Sequence, residues 1–308
     1  MNKAIQRLSV LLTLAIAMVA GVAHAGNGAT LIPFVPSDAK AVVSIDFAAL
    51  RASGSLDQLM ANTGADTHLA SITGRLNTVG FNPKNQIDTA FVVANSFERR
   101  ARPLLIVEGA NIPRARIEEA IVAEATATRS TVGQITVYTR SNRGSIAFLA
   151  NDIAVIGPTP QVTAVARIAA GQARSTPASA LASAISRADR GRSLWFAAVP
   201  PASMTNGTPV EGARALRGAA NIGGALDLVV DATMASEAAA TSTANSSRTQ
   251  LSTVSQRDEV AALGLAPVIQ AVTITSRGDN VRLALALDQA RFRRLLTTIT
   301  TVIRDQLQ

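Results

Sequence analysis

Ser37 and Lys40 are the first residues in the chain whose types and spacing could do chemistry. They reproduce the Ser-x-x-Lys pattern of serine acyl-enzymes, in which a lysine one helical turn after the serine accepts its proton. That geometry needs the serine at the start of a helix, whereas Pro36 precedes it and a strand-like run follows from Ala41. The partner motifs Ser-Asp-Asn and Lys-Thr-Gly do not occur in the chain. We therefore interpret this tetrapeptide as a turn before the first strand, with no catalytic role.

His68 is the only histidine after the first 25 residues. A Ser-His-Asp relay would have to use it, yet no Gly-x-Ser-x-Gly elbow exists to present a nucleophile. A zinc ion would have to be held without thiolates, because the chain has 0 cysteines. Asp66 lies two residues away on a segment that reads as the start of a helix. We expect no catalytic residue, no metal site and no cofactor.

Carboxylates could still act in pairs, because glycoside hydrolysis needs only two acids that face one another. Asp46 and Asp231 are the most informative, since each interrupts an apolar strand. A carboxylate-dependent hydrolase is therefore one alternative function, although aromatic residues that could stack on sugars make up only 3% of the chain. The acids in or beside predicted strands are Asp46, Asp88, Glu108, Asp152, Asp227 and Asp231.

Arg99, Arg100 and Arg102 form a compact cationic group at the tip of a predicted hairpin. We interpret them as the candidate binding residues for an anionic partner. The alternative is a solvated turn whose charges protect a strand edge from pairing. A phosphate-binding loop is not predicted, because no glycine-rich loop followed by a lysine lies between a strand and a helix.

The first 25 residues predict an export signal peptide. Lys3 and Arg7 give a short basic start, and an uncharged apolar run follows over Leu8–Val22. Ala23 and Ala25 put small residues at the two positions that a signal peptidase reads. A permanent membrane anchor needs roughly 20 apolar residues, more than this run supplies. We expect cleavage after Ala25 and a periplasmic or secreted product without a transmembrane anchor.

Composition limits the remaining functions. With 0 cysteines the chain can form neither a disulfide nor a lipoprotein anchor, so core burial alone must hold the fold. The net charge is +8 and would fall by two with Lys3 and Arg7. This excess favours an unknown envelope protein or an anionic envelope component as partner, unless it only reflects arginine-rich coding. Few aromatic residues are available to stack on bases, so we expect no nucleic-acid partner.

The hydrophobic pattern predicts an α+β fold of two diverged lobes. Each lobe reads strand, helix, hairpin, helix, antiparallel strands, helix, over residues 41–172 and 178–308, after a flexible segment at 26–40. Helices are predicted over Asp66–Val79, from a cap at Asn111, from Thr159, over Glu237–Leu263 and after a cap at Asp288. The predicted strands are Ala41–Phe47, Thr89–Ala94, Leu104–Val107, Gln134–Thr139, Ser145–Leu149, Ile153–Ile156, Leu194–Val199, Leu226–Thr233, Val272–Ser276 and Val281–Leu287.

Three stretches carry a family resemblance. They are PSDAKAVVSIDFAALRAS, NDIAVIGPTPQVTAVARIAAG and ALASAISRADRGRSLWFAAV. In order and spacing they resemble bacterial exported tandem-lobe α+β proteins of unknown function. The resemblance implies the architecture and assigns no site residue.

These observations together favour an exported envelope protein that acts as a non-enzymatic binding or interaction module. The alternatives are a carrier that holds an apolar small ligand or lipid between the lobes, and the carboxylate-dependent hydrolase. A continuous apolar cavity would favour the carrier. Two buried acids facing each other across a cleft would favour the hydrolase.

Overall fold

The computed structural model describes residues 28–57, 78–98, 101–124, 126–141, 144–208, 210–262 and 264–307, without the side chains of 259, 262 and 299–307. Within them, twelve antiparallel strands form one sheet that helices cover on both faces, so the predicted α+β class is confirmed. The strands are β1 (Ala41–Asp46), β2 (Thr89–Ala94), β3 (Leu104–Glu108), β4 (Ala127–Val132), β5 (Ile135–Arg140), β6 (Gly144–Phe148), β7 (Ile153–Gly157), β8 (Leu194–Ala198), β9 (Ala215–Ile222), β10 (Leu226–Thr233), β11 (Val272–Arg277) and β12 (Asn280–Leu287). The helices are α1 (Phe47–Ala52), α2 (Pro83–Gln86), α3 (Arg114–Val122), α4 (Thr159–Ala169), α5 (Ser179–Arg187), α6 (Ala202–Thr205), α7 (Glu237–Ser255), α8 (Asp258–Ala262), α9 (Ala266–Gln270) and α10 (Gln289–Leu307).

The strand order is β11-β12-β10-β9-β8-β1-β2-β3-β7-β6-β5-β4. β1 lies at the centre, where it pairs with β2 on one side and with β8 on the other. β1 opens the first predicted lobe and β8 the second, and Ala41 lies opposite Ala198 in the pairing. Both halves of the chain therefore build one continuous sheet.

The two faces of the sheet carry separate cores, because successive side chains of a strand point to opposite faces. On one face, Val42, Trp195 and Val155 pack under α4, α5 and the chain before β1. On the other face, β8, β9, β10 and β12 pack under α1, α7, α9 and α10. The same face of the first half packs against α3 through Ile117 and Ile121.

The N-terminal segment is packed against the sheet over residues 28–40, contrary to the prediction of a flexible segment. The sequence predicts a flexible segment at 26–40, but over 28–40 the side chains of Leu31, Val35 and Ala39 are at most 1% exposed. A short 3-10 helix at Ile32–Phe34 turns the chain across the sheet. Apolar burial of this kind holds the segment against the central strands.

Several predicted elements lie where the pattern placed them, and others differ. Thr89–Ala94 and Leu226–Thr233 are strands with those bounds, whereas β4 and β9 were not predicted. Asn111 does not cap a helix: its φ is +57°, and α3 begins after Pro113. The predicted helix over Glu237–Leu263 is divided into α7 and α8. The predicted helix at Asp66–Val79 lies almost wholly outside the described residues.

The closing helix agrees with its sequence pattern as far as its side chains are described. Asp288 caps α10, since its carboxylate Oδ1 accepts a hydrogen bond from the N–H of Arg291 at 2.8 Å. Phe292, Leu295 and Leu296 are buried against the sheet. Within the described residues, no helix combines the length and apolar character that a membrane crossing requires.

Candidate functional site: a polar cleft at one end of the sheet

The structure places Ser37 and Lys40 in the turn that the sequence predicted. The N–H of Ala39 bonds the carbonyl of Pro36 at 3.2 Å, and β1 begins one residue after Lys40. Both side chains are exposed, and neither lies on a helix. His68 lies outside the described residues. In the part of the chain that is described, no three His, Cys, Asp or Glu side chains form a group that could hold a metal ion.

The predicted hairpin between β2 and β3 is present as an antiparallel pair. Arg102 is exposed in the connection between the two strands. Arg99 and Arg100, in the same connection, lie outside the described residues. Their role as binding residues stays a prediction.

Each candidate carboxylate that lies in a described strand is bound into the fold. Asp46 accepts the N–H of Ala49 at 3.2 Å and so caps α1, and Glu108 accepts the hydroxyl of Thr30 at 2.7 Å. Asp231 lies between Arg217 and Arg282, at 3.2 and 2.7 Å. The remaining pairs are Asp88 with Arg51 and Asp227 with Arg192.

The two most buried of these acids are far from one another. Asp46 and Asp231 are 2% and 7% exposed and point to the same face of the sheet. β8 and β9 lie between their strands, and the register offsets them by four residues. Strand spacing and rise place them about 20 Å apart. Paired carboxylates that hydrolyse glycosides lie within about 10 Å of each other, so these two cannot form such a pair.

A cleft of about 520 Å³ opens at the end of the sheet where β1 begins and where β2 and β7 end. One wall is the turn before β1, and the opposite wall is α4. Of the described lining residues, six of twelve are polar or charged, which gives the cleft a mixed surface. The lining residues are Pro36, Ser37, Asp38, Asn95, Pro158, Pro160, Gln161, Ala164, Arg167, Ile168, Ala173 and Arg174.

The end of α4 brings the two arginines of the cleft to one rim. Gly171 has a φ of +71°, a left-handed conformation that reverses the chain at the helix terminus. The N–H of Gln172 then bonds the carbonyl of Arg167 at 2.8 Å, and the N–H of Ala173 bonds it at 3.2 Å. Arg174 follows directly, so its side chain begins beside the last turn of the helix that carries Arg167.

The walls of the cleft are tied to the body of the protein. The hydroxyl of Ser175 donates to the carbonyl of Val35 at 2.6 Å, which joins the chain after α4 to the N-terminal segment. At the other end of α4, the hydroxyl of Ser145 on β6 donates to that of Thr159 at 2.8 Å. These bonds fix α4 at both ends and make the cleft a preformed feature.

The charged side chains of the cleft differ in whether they have a partner within the protein. Among the described residues, neither Arg167 nor Arg174 forms an ion pair or a side-chain hydrogen bond, and both are exposed. Asp38 accepts a hydrogen bond from the amide of Asn95 at 3.3 Å. The rim therefore offers two free guanidinium groups and one carboxylate.

Sequence reasoning missed this site. The sequence pattern places Arg167 in the helix predicted from Thr159, and it places Arg174 between the two predicted lobes, which cover 41–172 and 178–308. No local pattern joins them to Asn95 or Asp38, because these residues meet only after β1, β2 and β7 are paired. The one available signal was the turn sequence Ala-Gly-Gln-Ala-Arg after a helix, which predicts a chain reversal.

Comparison with known proteins supports the fold and assigns no function. No family profile matches the chain, and no curated protein matches it. Crystal form III of TP0453 superimposes with a TM-score of 0.51 at 10% identity, over 87% of this chain and 98% of that one. Crystal form IV of TP0453 gives a TM-score of 0.48 at 10% identity, over 88% of this chain and 99% of the other. At this identity the likeness to form III shows the fold alone, that of a mixed helix and sheet protein.

Proposed function

We propose that the protein is a non-enzymatic binding module, exported to the cell envelope, that takes its ligand in the cleft between the turn before β1 and α4. The observation that carries the proposal is a preformed cleft whose polar side chains are largely unused by the fold. Ligand sites are typically concave and preformed, with a few converging polar groups. Cleavage after Ala25, and with it a periplasmic or secreted location, belongs to the same proposal.

Binding is favoured over the two alternatives by the placement of specific side chains. A carboxylate-dependent hydrolase needs two acids at one site, whereas Asp38 is the single acid among the described residues that line the cleft. A carrier of an apolar ligand needs a continuous apolar cavity, whereas Arg167, Arg174 and four polar side chains line this one. The cleft therefore suits a polar ligand that it holds without changing it.

The two-lobe organisation, with a boundary within residues 171–177, also remains a proposal. The spatial order β1-β2-β3-β7-β6 in one half matches β8-β9-β10-β12-β11 in the other, which supports it. The helices that follow β3 and β10 cover the same face of the sheet. The closing helices α4 and α10 cover opposite faces, so the repeat extends to the strands and to one helix of each half.

One experiment tests the proposal without knowledge of the ligand. The molecular mass of the intact protein from the envelope fraction is first measured by mass spectrometry. We expect the mass of a chain that lacks Met1–Ala25. The same material, labelled with ¹⁵N, is then titrated with mixtures of small neutral and charged fragments. We expect shifts of backbone amide signals to concentrate at residues 37, 38, 95, 159 and 161–174.

The control is a variant in which the cleft is filled. Ala164 lines the cleft, and its replacement by tryptophan should remove the fragment-induced shifts while leaving the rest of the spectrum folded. Shifts that scatter over the surface, or that survive in Ala164→Trp, would contradict a binding site here. A mass that still includes the leader would contradict export by cleavage.

A further inference from the structure

We propose that the ligand of this cleft is a short acidic peptide segment, whose carboxylate is held by Arg167 and Arg174. This inference rests on the proposed binding function and names the chemistry of its ligand. The shared rim of the two arginines carries it, together with Gln161 on α4 and with Asn95 and Asp38, which line the cleft opposite α4.

Two guanidinium groups at one rim select for an anion. Each presents N–H donors in a planar fork that matches the two oxygens of a carboxylate, and such charge-assisted pairs are stronger than neutral hydrogen bonds. Arg167 and Arg174 form no ion pair among the described residues, so an incoming carboxylate displaces no internal partner. In contrast, Arg51, Arg140, Arg192, Arg217 and Arg282 are all engaged by acids of the protein.

The remaining polar side chains of the cleft fit a peptide rather than a bare anion. Gln161 can donate and accept, and Asn95, whose amide nitrogen already donates one hydrogen bond to Asp38, keeps its carbonyl oxygen and second N–H for peptide groups. Asp38 can only accept when ionised, so it favours an N–H donor of the ligand, and it repels an anionic group, which must lie on the side of Arg167 and Arg174. A ligand with both N–H groups and a carboxylate can donate to Asp38 and accept from Arg167 and Arg174.

The proline residues determine how such a peptide is held. Pro36, Pro158 and Pro160 line the cleft and have no backbone N–H to donate. The peptide therefore cannot add to the wall as a further β-strand, and side chains must supply its polar contacts. Fixed proline walls also reduce the ordering cost of binding, since a preformed site loses little freedom when it is filled.

The test uses three probes on the mature protein: tetraglutamate and tetraglutamine, each acetylated at the N-terminus and amidated at the C-terminus, and inorganic phosphate. We expect tetraglutamate to bind at least about tenfold more tightly than either of the other two, measured by titration calorimetry. Equal affinity for phosphate, with competition between the two, would overturn the peptide assignment in favour of a simple anion site. Equal affinity for tetraglutamine would overturn the role of the carboxylates.

Two double variants, each of which removes two positive charges, test whether the peptide binds in the cleft. Arg167→Ala with Arg174→Ala should weaken tetraglutamate binding at least about tenfold. Arg293→Ala with Arg294→Ala removes the same charge from the exposed side of α10 and should change the affinity less than about twofold. Equal losses in the two variants would show nonspecific attraction to a basic protein and overturn the inference.

The inference can fail while the proposed function survives. If tetraglutamate does not bind the wild-type protein but neutral fragments still shift residues of the cleft, the binding module stands and the acidic peptide is rejected. If neither binds, both are rejected. Both double variants should unfold at the wild-type temperature, because all four side chains are exposed.

Discussion

The charged residues that attract attention in the sequence mostly hold the structure together. Asp231 is 7% exposed although it interrupts an apolar strand, because Arg217 on β9 and Arg282 on β12 bind it from both sides. Its carboxylate receives hydrogen bonds of 2.7 and 2.9 Å from Arg282, which raise the pKa of that guanidinium. A sequence cannot separate such an acid from a catalytic one, because only strand pairing shows whether a cation lies opposite.

Tyr138 provides a residue-level prediction. It is the only tyrosine in the chain and is 5% exposed on β5. Burial raises its pKa above 10.0, and the nearby Glu118 carboxylate raises it further. We expect the near-ultraviolet absorbance of tyrosinate to develop with a midpoint above pH 10.0 in the folded protein, and with a midpoint of about pH 10 in urea.

The sign of the associated stability change follows from the same shift. The folded state keeps the phenol proton to higher pH than the unfolded state, so the contribution of Tyr138 is complete below the unfolded pKa. It is lost as the pH rises through the folded pKa. Tyr138→Phe should abolish the absorbance change, and Glu118→Gln should lower the folded pKa. A wild-type midpoint at or below 10.0 would contradict the burial of this side chain.

At the level of elements, burial patterns explain which strands could be predicted. β2 and β10 were predicted with correct bounds because their apolar, β-branched residues are bounded by polar turns. β4, with the sequence ATRSTV, is an edge strand whose four central residues are exposed, so it carries no apolar alternation. β9 has the sequence ALRGAANI, and its alanines and glycine have weak strand propensity. Both strands form because their neighbours supply hydrogen-bonding partners, which is tertiary information.

The closing helix α10 gives the prediction at this level. Leu296 is 6% exposed in the core formed with β12 and β10, so Leu296→Ala should lower the free energy of unfolding by about 2 to 5 kcal/mol. Arg293 is exposed on the same helix, and Arg293→Ala should cost about 0.5 kcal/mol or less. Urea unfolding of the two variants measures the difference. Similar losses at both positions would mean that α10 does not pack through the side that carries Leu296.

At the level of the whole molecule, the centre of the sheet depends on the chain that precedes it. Leu31, Val35 and Ala39 are apolar residues that the sequence pattern assigned to a flexible segment, since they belong to no helix or strand. They are buried because they pack in one core with side chains of α4, α5 and the central strands, a contact that no local pattern encodes. The same long-range assembly creates the cleft, because Pro36 and Asp38 reach α4 only when this segment is docked.

Gly28 offers a test of this docking. Its φ is +59°, and a Cβ atom built on it would lie 2.3 Å from the ring of Phe91. That ring meets the indole of Trp195 edge to face, with 5.4 Å between the ring centres. Trp195 is the only tryptophan and is 1% exposed, so its fluorescence reports on the centre of the sheet.

Gly28→Ala and Gly54→Ala form a matched pair of variants. Gly54 has a φ of +66° with no atom within 4 Å of the added Cβ, so its substitution should cost only the left-handed strain of about 1 to 2 kcal/mol. Gly28→Ala should cost the same strain and about 1 to 3 kcal/mol more, because the methyl group displaces the Phe91 ring. Urea unfolding followed by Trp195 fluorescence measures both values. Equal costs would show that residues 28–40 do not press on the central strands in solution, and the cleft would then lose the wall that Pro36 and Asp38 provide.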